Sequence, residues 1–82
     1  MTSAPVGARF RVYTRADCAL CDKFIAELSS ALATSGEAPE ILDVDADPVT
    51  RRRFGLKVPV LTCDGSVVCH GHLDRAAVAR LL

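Results

Sequence analysis

The apolar residues of this chain change period at Asp17, and that switch constrains the fold more than any other feature of the sequence. Before it, Arg9-Phe10-Arg11-Val12-Tyr13-Thr14-Arg15 alternates, with Phe10 and Val12 on one side. Period two with aromatic and β-branched residues predicts a strand with one buried face. After it, Leu20, Phe24, Leu28 and Leu32 recur every four residues, with Ile25 and Ala31 alongside. That is an apolar stripe of helical pitch, so an amphipathic helix follows the strand directly. Asp17 is its expected N-cap and Gly36 its expected stop.

Downstream, Ile41, Leu42 and Val44 predict a second short strand that ends in Asp45-Ala46-Asp47-Pro48. Asp before Pro starts a helix, with Asp47 as cap and Pro48 at the first helical position, where a missing N–H costs nothing. Phe54-Gly55 closes that helix. Residues 58–63 and 66–69 flank Asp64-Gly65, and an Asp-Gly pair between β-rich runs predicts a tight hairpin. Asp74 can cap a last helix to Leu82, with Leu73 and Val78 as a hydrophobic staple. The order is β-α-β-α-β-β-α. Strand, helix, strand implies a right-handed parallel crossover, and the hairpin adds two antiparallel strands, so the fold class is α/β with a mixed four-stranded sheet. Residues 1–8, small and without period, read as a flexible tail, and residues 9–82 as one domain.

An 82-residue chain buries only about 60 to 65 per cent of its unfolded surface, which leaves one small core and no separate substrate domain. Ten basic side chains balance ten acidic ones, so counterion release offers no drive toward nucleic acid. The apolar runs fall far short of the roughly 20 residues that span a bilayer, and residues 1–8 lack the basic start and apolar run of a leader. The expectation is a cytoplasmic chain without membrane or nucleic-acid partners. In a reducing compartment, its four cysteines argue for redox chemistry or metal rather than structural bridges.

Cys18-Ala19-Leu20-Cys21 sits where the first strand gives way to the first helix, the context in which C-x-x-C reads as a redox pair. A helix N-terminus presents unpaired N–H groups and about half a positive charge, which favours the thiolate, the form that attacks disulfides. Cys18 is therefore the expected nucleophile and Cys21 the residue that resolves the mixed disulfide.

Together, Tyr13 to Cys21, Val58-Pro59-Val60-Leu61, Asp64-Gly65, and Gly71 before Asp74 resemble the glutaredoxins, most closely the short bacterial glutaredoxin-like proteins of the thioredoxin superfamily. The resemblance covers residues 9–82 and implies a thioredoxin/glutaredoxin-like fold. It implies that Pro59 is cis and lies beside Cys18, and that the backbone of Val58 pairs with a substrate peptide as an added strand, consistent with the rarity of cis bonds outside proline and with β-augmentation. It further implies that Arg15 and Asp74 help bind glutathione. Three features depart from the family pattern. The motif centre is Ala-Leu rather than Pro-Tyr, Gly71-His72 replaces a Gly-Gly pair, and Asp17 puts next to Cys18 a carboxylate that would raise a thiol pKa.

The remaining polar clusters have plain readings. Cys63 and Cys69 behave as small hydrophobes; a two-residue turn pairs Cys63 with Ser66 and Val60 with Cys69, on opposite faces, where the thiols cannot bridge. With His70 and His72 they do not make the tight knuckle of a zinc site. Arg51-Arg52-Arg53 fans around a helix end as solvated surface, and Asp43, Asp45 and Asp47 lack the Gly and Glu of a calcium loop. The expected function is thiol-disulfide exchange on protein or small-molecule disulfides, by a monomer needing no metal or organic cofactor, re-reduced by glutathione or a thioredoxin-type reductase. The alternative class is a non-catalytic thiol domain that holds a metal or iron–sulfur cluster or docks a partner.

Overall fold

Alternation in the first strand organises both sides of the sheet. The computed structural model describes residues 8–82; apart from Ala8, the expected tail lies outside them. The elements are β1 (Phe10–Thr14), α1 (Ala19–Leu32), β2 (Glu40–Asp43), a 3-10 turn (Val44–Ala46), α2 (Pro48–Phe54), β3 (Val60–Cys63), β4 (Ser66–His70) and α3 (Arg75–Arg80). The sheet order is β2-β1-β3-β4, with β1 parallel to β2 and antiparallel to β3, and β4 antiparallel to β3. The result is the mixed α/β sheet that the element order implied.

Phe10 and Val12 pack with Phe24, Leu28 and Leu32 of α1, Leu61 and Cys63 of β3, and Val78 of α3. On the opposite face Val44, Phe54 and Val60 form a smaller cluster with Tyr13 and Val58, and the Tyr13 and Phe54 rings lie 5.0 Å apart, tilted by 39°. Every residue of β3 is buried because it has a strand on each side and packed residues on both faces. Each large side chain so buried contributes roughly 1.5 to 3 kcal/mol.

Local signals account for most boundaries. Asp47 Oδ1 accepts from Val49 N at 2.8 Å, capping α2 with Pro48 at its start. Asp74 Oδ1 accepts from Ala77 N at 3.0 Å, and Leu73 and Val78 meet in the main cluster. Asp64 and Gly65 have φ of 51° and 86°, the paired positive values of a type I′ hairpin turn.

Several expectations are corrected. The N-cap of α1 is Cys18, not Asp17, which instead takes φ 57° in the preceding turn. The helix ends at Leu32 rather than Gly36, because the Leu32 carbonyl accepts both the Ser35 amide at 3.0 Å and the Ser35 hydroxyl at 2.7 Å. Leu20 is 38% exposed; the buried stripe runs through Cys21, Phe24, Leu28 and Leu32. Ile41 is likewise exposed on the edge strand β2, while Val44 is buried from the 3-10 turn that follows it. Strand β3 starts at Val60, not Val58, and α3 stops at Arg80.

The largest correction concerns the hairpin. Cys63 pairs with Ser66, but the register shifts between Leu61 and Thr62, so Leu61 faces Cys69 and Val60 faces His70. A one-residue bulge exchanges the faces of the residues beyond it. Cys63 and Cys69 therefore share a face, Cys63 inside the main cluster and Cys69 packed against it.

Candidate redox site

Strand β1 ends at Thr14, and three residues carry the chain to Cys18 at the first turn of α1. Asp17 makes this turn with a positive φ, a conformation that Asp tolerates better than most residues. Cys18 is extended, with φ −113° and ψ 98°, and its Sγ accepts the Cys21 N–H at 3.0 Å. Its carbonyl takes the Asp22 amide at 3.1 Å, the first bond of the helix. A sulfur in this position receives the hydrogen bond and the dipole field that stabilise a thiolate. Cys18 is half-buried and Cys21 is buried. The two are joined as a disulfide with Cα atoms 5.2 Å apart, inside the usual range.

Pairing of Tyr13 with Val60 puts Val58-Pro59 at the same end of the sheet as the turn into Cys18. The Val58–Pro59 bond is cis. Pro59 is fully buried, and its carbonyl accepts the Gly71 amide at 2.8 Å, so Gly71-His72 lies alongside it. Val58 packs its side chain on the smaller cluster, and among the described residues its backbone N–H and C=O take part in no backbone hydrogen bond.

Arg15, which the resemblance assigned to glutathione binding, is engaged within the fold. Its Nε and Nη2 donate to Asp45 Oδ2 and Oδ1 at 2.8 and 2.9 Å, and its Nη1 donates to the Gly55 carbonyl at 2.8 Å. The hydrogen bonds from Arg15 hold the Asp45 carboxyl below its ordinary range, and Asp45 raises Arg15 in turn. Gly55 permits the approach: a Cβ there would run into the Arg51 carbonyl oxygen and lie 3.3 Å from Arg15 Nη2. Asp45 read in the sequence only as a strand-end residue, and no local pattern links it to Arg15. Asp74 is exposed and caps α3. A cleft of about 330 Å³, lined by Thr14, Arg15, Ala16, Ile41, Leu42 and Asp43, opens beside the turn without reaching the disulfide.

The other two cysteines sit in a contrasting environment. Burial pushes the Cys63 thiol up, with Asp64 adding to it, and burial also pushes up Cys69. Among the described residues, no three His, Cys, Asp or Glu side chains gather as a metal ion would require. No described helix is long and apolar enough to cross a membrane.

A family model described as Glutaredoxin-like domain (DUF836) matches residues 9–82. The chain belongs to this glutaredoxin-like family. Among solved structures, protein Ne2328 of Nitrosomonas europaea, determined by NMR, is 27% identical with a TM-score of 0.80, over 100% of this chain and 99% of that one. The protein XcR50 of X. campestris, an X-ray structure, is also 27% identical, with a TM-score of 0.63 over 88% of this chain and 92% of that one. No curated protein matches. The glutaredoxin-like domain thus joins a thioredoxin-like fold to a C-x-x-C pair at its strand-to-helix turn, a thiol redox fold. Within it, Arg15 is tied to Asp45 and Gly55.

Proposed function

We propose that this glutaredoxin-like domain is a cytoplasmic, monomeric thiol-disulfide oxidoreductase that reduces protein or low-molecular-weight disulfides through Cys18 and Cys21. The observation that carries the reading is the capping geometry: half-buried Cys18 presents Sγ at the N-terminus of α1, 3.0 Å from a backbone N–H, over buried Cys21.

In the reduced protein, the Cys18 thiolate attacks one sulfur of the substrate disulfide. A mixed disulfide forms, and the other substrate sulfur leaves as a thiolate that takes a proton from solvent. Cys21 then loses its proton and attacks Cys18 Sγ, closing the Cys18–Cys21 disulfide and releasing the second substrate thiol. The substrate gains two electrons and two protons, and the protein gives them up. The open N–H and C=O of Val58 support a role in holding the substrate backbone as an added strand, with Pro59 fixing that segment. No metal or organic cofactor enters these steps.

Magnitudes indicate what the helix end supplies. Lowering a thiol pKa from about 8.5 to about 7 raises the thiolate fraction at pH 7 roughly 16-fold, while each thiolate becomes roughly 5-fold less nucleophilic. The net gain in attack is about 3-fold. The same change makes Cys18 a better leaving group when its own disulfide is reduced, which suits a sulfur that must both attack and leave.

Re-reduction takes two electrons, from two glutathione molecules or from a thioredoxin-type reductase. Arg15 commits three of its five N–H groups to Asp45 and Gly55, and Asp74 holds the cap of α3; both facts favour the reductase. The test is reduction of a small disulfide by the wild type, Cys18→Ser and Cys21→Ser. Cys18→Ser should abolish turnover, and Cys21→Ser should stop after one mixed disulfide. Equal activity in Cys18→Ser and wild type would overturn the reading.

A further inference from the structure

The charges of the chain balance overall, but they do not balance along it. Residues 48–63, from the start of α2 to the end of β3, contain Arg51, Arg52, Arg53 and Lys57 and no Asp or Glu. All four cations are exposed. The ion pairs formed among the described residues join Arg9 to Glu37, Arg11 to Glu40 and Arg15 to Asp45, and none uses these four. Arg51 acts weakly on the Asp45 carboxyl, but both oxygens of that carboxyl are already held by Arg15. Asp47 is turned to its cap. Arg53 lies over the Phe54 ring at 4.7 Å, which fixes its position without neutralising it.

Leu56 stands in the middle of this segment with its side chain fully exposed. It follows Gly55, whose carbonyl is anchored by Arg15, and it precedes Lys57 and Val58-Pro59. An apolar side chain held in water inside a basic run is the pattern of an anchor that meets a partner, with the charges steering the approach.

We propose that the segment from Arg51 to Lys57 is a docking surface for an acidic polypeptide that carries the disulfide to be reduced. The partner's carboxylates face Arg52 and Lys57, Leu56 enters an apolar recess beside its disulfide, and the backbone reaches Val58. This inference rests on the oxidoreductase reading and assigns that site its substrate class. Nucleic acid is the less favoured polyanion, because four cations in a neutral chain release few counterions and a phosphate backbone offers Leu56 no apolar contact.

The test uses the full chain and three cyclic disulfide peptides of one sequence, flanked by Glu, Gln or Lys. The Glu-flanked peptide should be reduced with a kcat/KM about 10-fold above the Lys-flanked one at low salt, with the ratio approaching one near ~0.5 M salt. Arg52→Glu with Lys57→Glu should abolish or invert that preference while leaving reduction of hydroxyethyl disulfide, which is small and uncharged, unchanged. Equal rates on all three peptides, a preference that survives the charge reversal, or tighter binding of an oligonucleotide than of the Glu-flanked peptide would overturn the proposal. If neither hydroxyethyl disulfide nor any of the three peptides is reduced, the oxidoreductase reading fails by itself. Docking is then read from the anisotropy of the labelled Glu-flanked peptide, whose affinity must still fall about 10-fold on charge reversal.

Discussion

Arg15 and Asp45 meet as a two-point ion pair, at 2.8 and 2.9 Å, and the same guanidinium holds the Gly55 carbonyl at 2.8 Å. The turn that delivers Cys18 is thereby tied to the helix end that leads to Val58-Pro59. Both partners are more than a third exposed, so the pair contributes little to stability. Its consequence is positional. Asp45→Asn should leave the thermal midpoint nearly unchanged while lowering kcat/KM on a peptide disulfide by about 5-fold to 10-fold. Parallel loss of stability and activity would show the pair to be merely structural.

The same pair has a pH signature. Hydrogen bonds from Arg15 depress the Asp45 carboxyl, and those from Arg9 depress Glu37. A carboxyl with a depressed folded pKa adds stability above its unfolded value of about 3.9 to 4.3, and loses that contribution as pH falls through the folded value. Denaturant unfolding should therefore show only a small gap between wild type and Asp45→Asn, widest above about pH 5 and narrowing as the carboxyl is protonated. A gap unchanged down to pH 2 contradicts the assignment.

Gly55 has an ordinary helical φ of −57°, so its substitution tests space rather than backbone freedom. Gly55→Ala should cost roughly 1 to 3 kcal/mol, by pressing a methyl group against the Arg51 carbonyl and Arg15. Urea unfolding measures it, and a loss below about 0.5 kcal/mol would mean that the helix end relaxes freely.

Much of this was legible in the sequence, because the decisive signals were local. The change of period at the first turn, the Asp47-Pro48 start, the Asp64-Gly65 hairpin and the Asp74 cap each involve residues within a few positions of one another. What was not legible depended on contacts far apart in the chain. Arg15 and Asp45 are linked only because β1 and β2 lie side by side. Leu20 and Ile41 fit an apolar pattern yet face outward, since helical pitch and strand alternation do not say which positions a neighbour will cover. The bulge between Leu61 and Thr62 carries no glycine to announce it, and it alone decides which face Cys69 takes.

That bulge yields a further prediction. With Cys63 buried and Cys69 packed beside it, and both thiols pushed up by burial, neither should react quickly at pH 7. Iodoacetamide applied to the oxidised native protein should label both far more slowly than in the urea-unfolded protein, and Cys63→Ala with Cys69→Ala should retain disulfide reduction. Rapid labelling of Cys63 would contradict the packing.

The central claim is that Cys18 attacks and Cys21 resolves. Incubating reduced Cys21→Ser with a disulfide peptide and mapping the adduct by mass spectrometry tests it directly. The account predicts one peptide per chain, attached through Cys18 and released by added dithiol; an adduct on Cys63 or Cys69, or none at all, would contradict it.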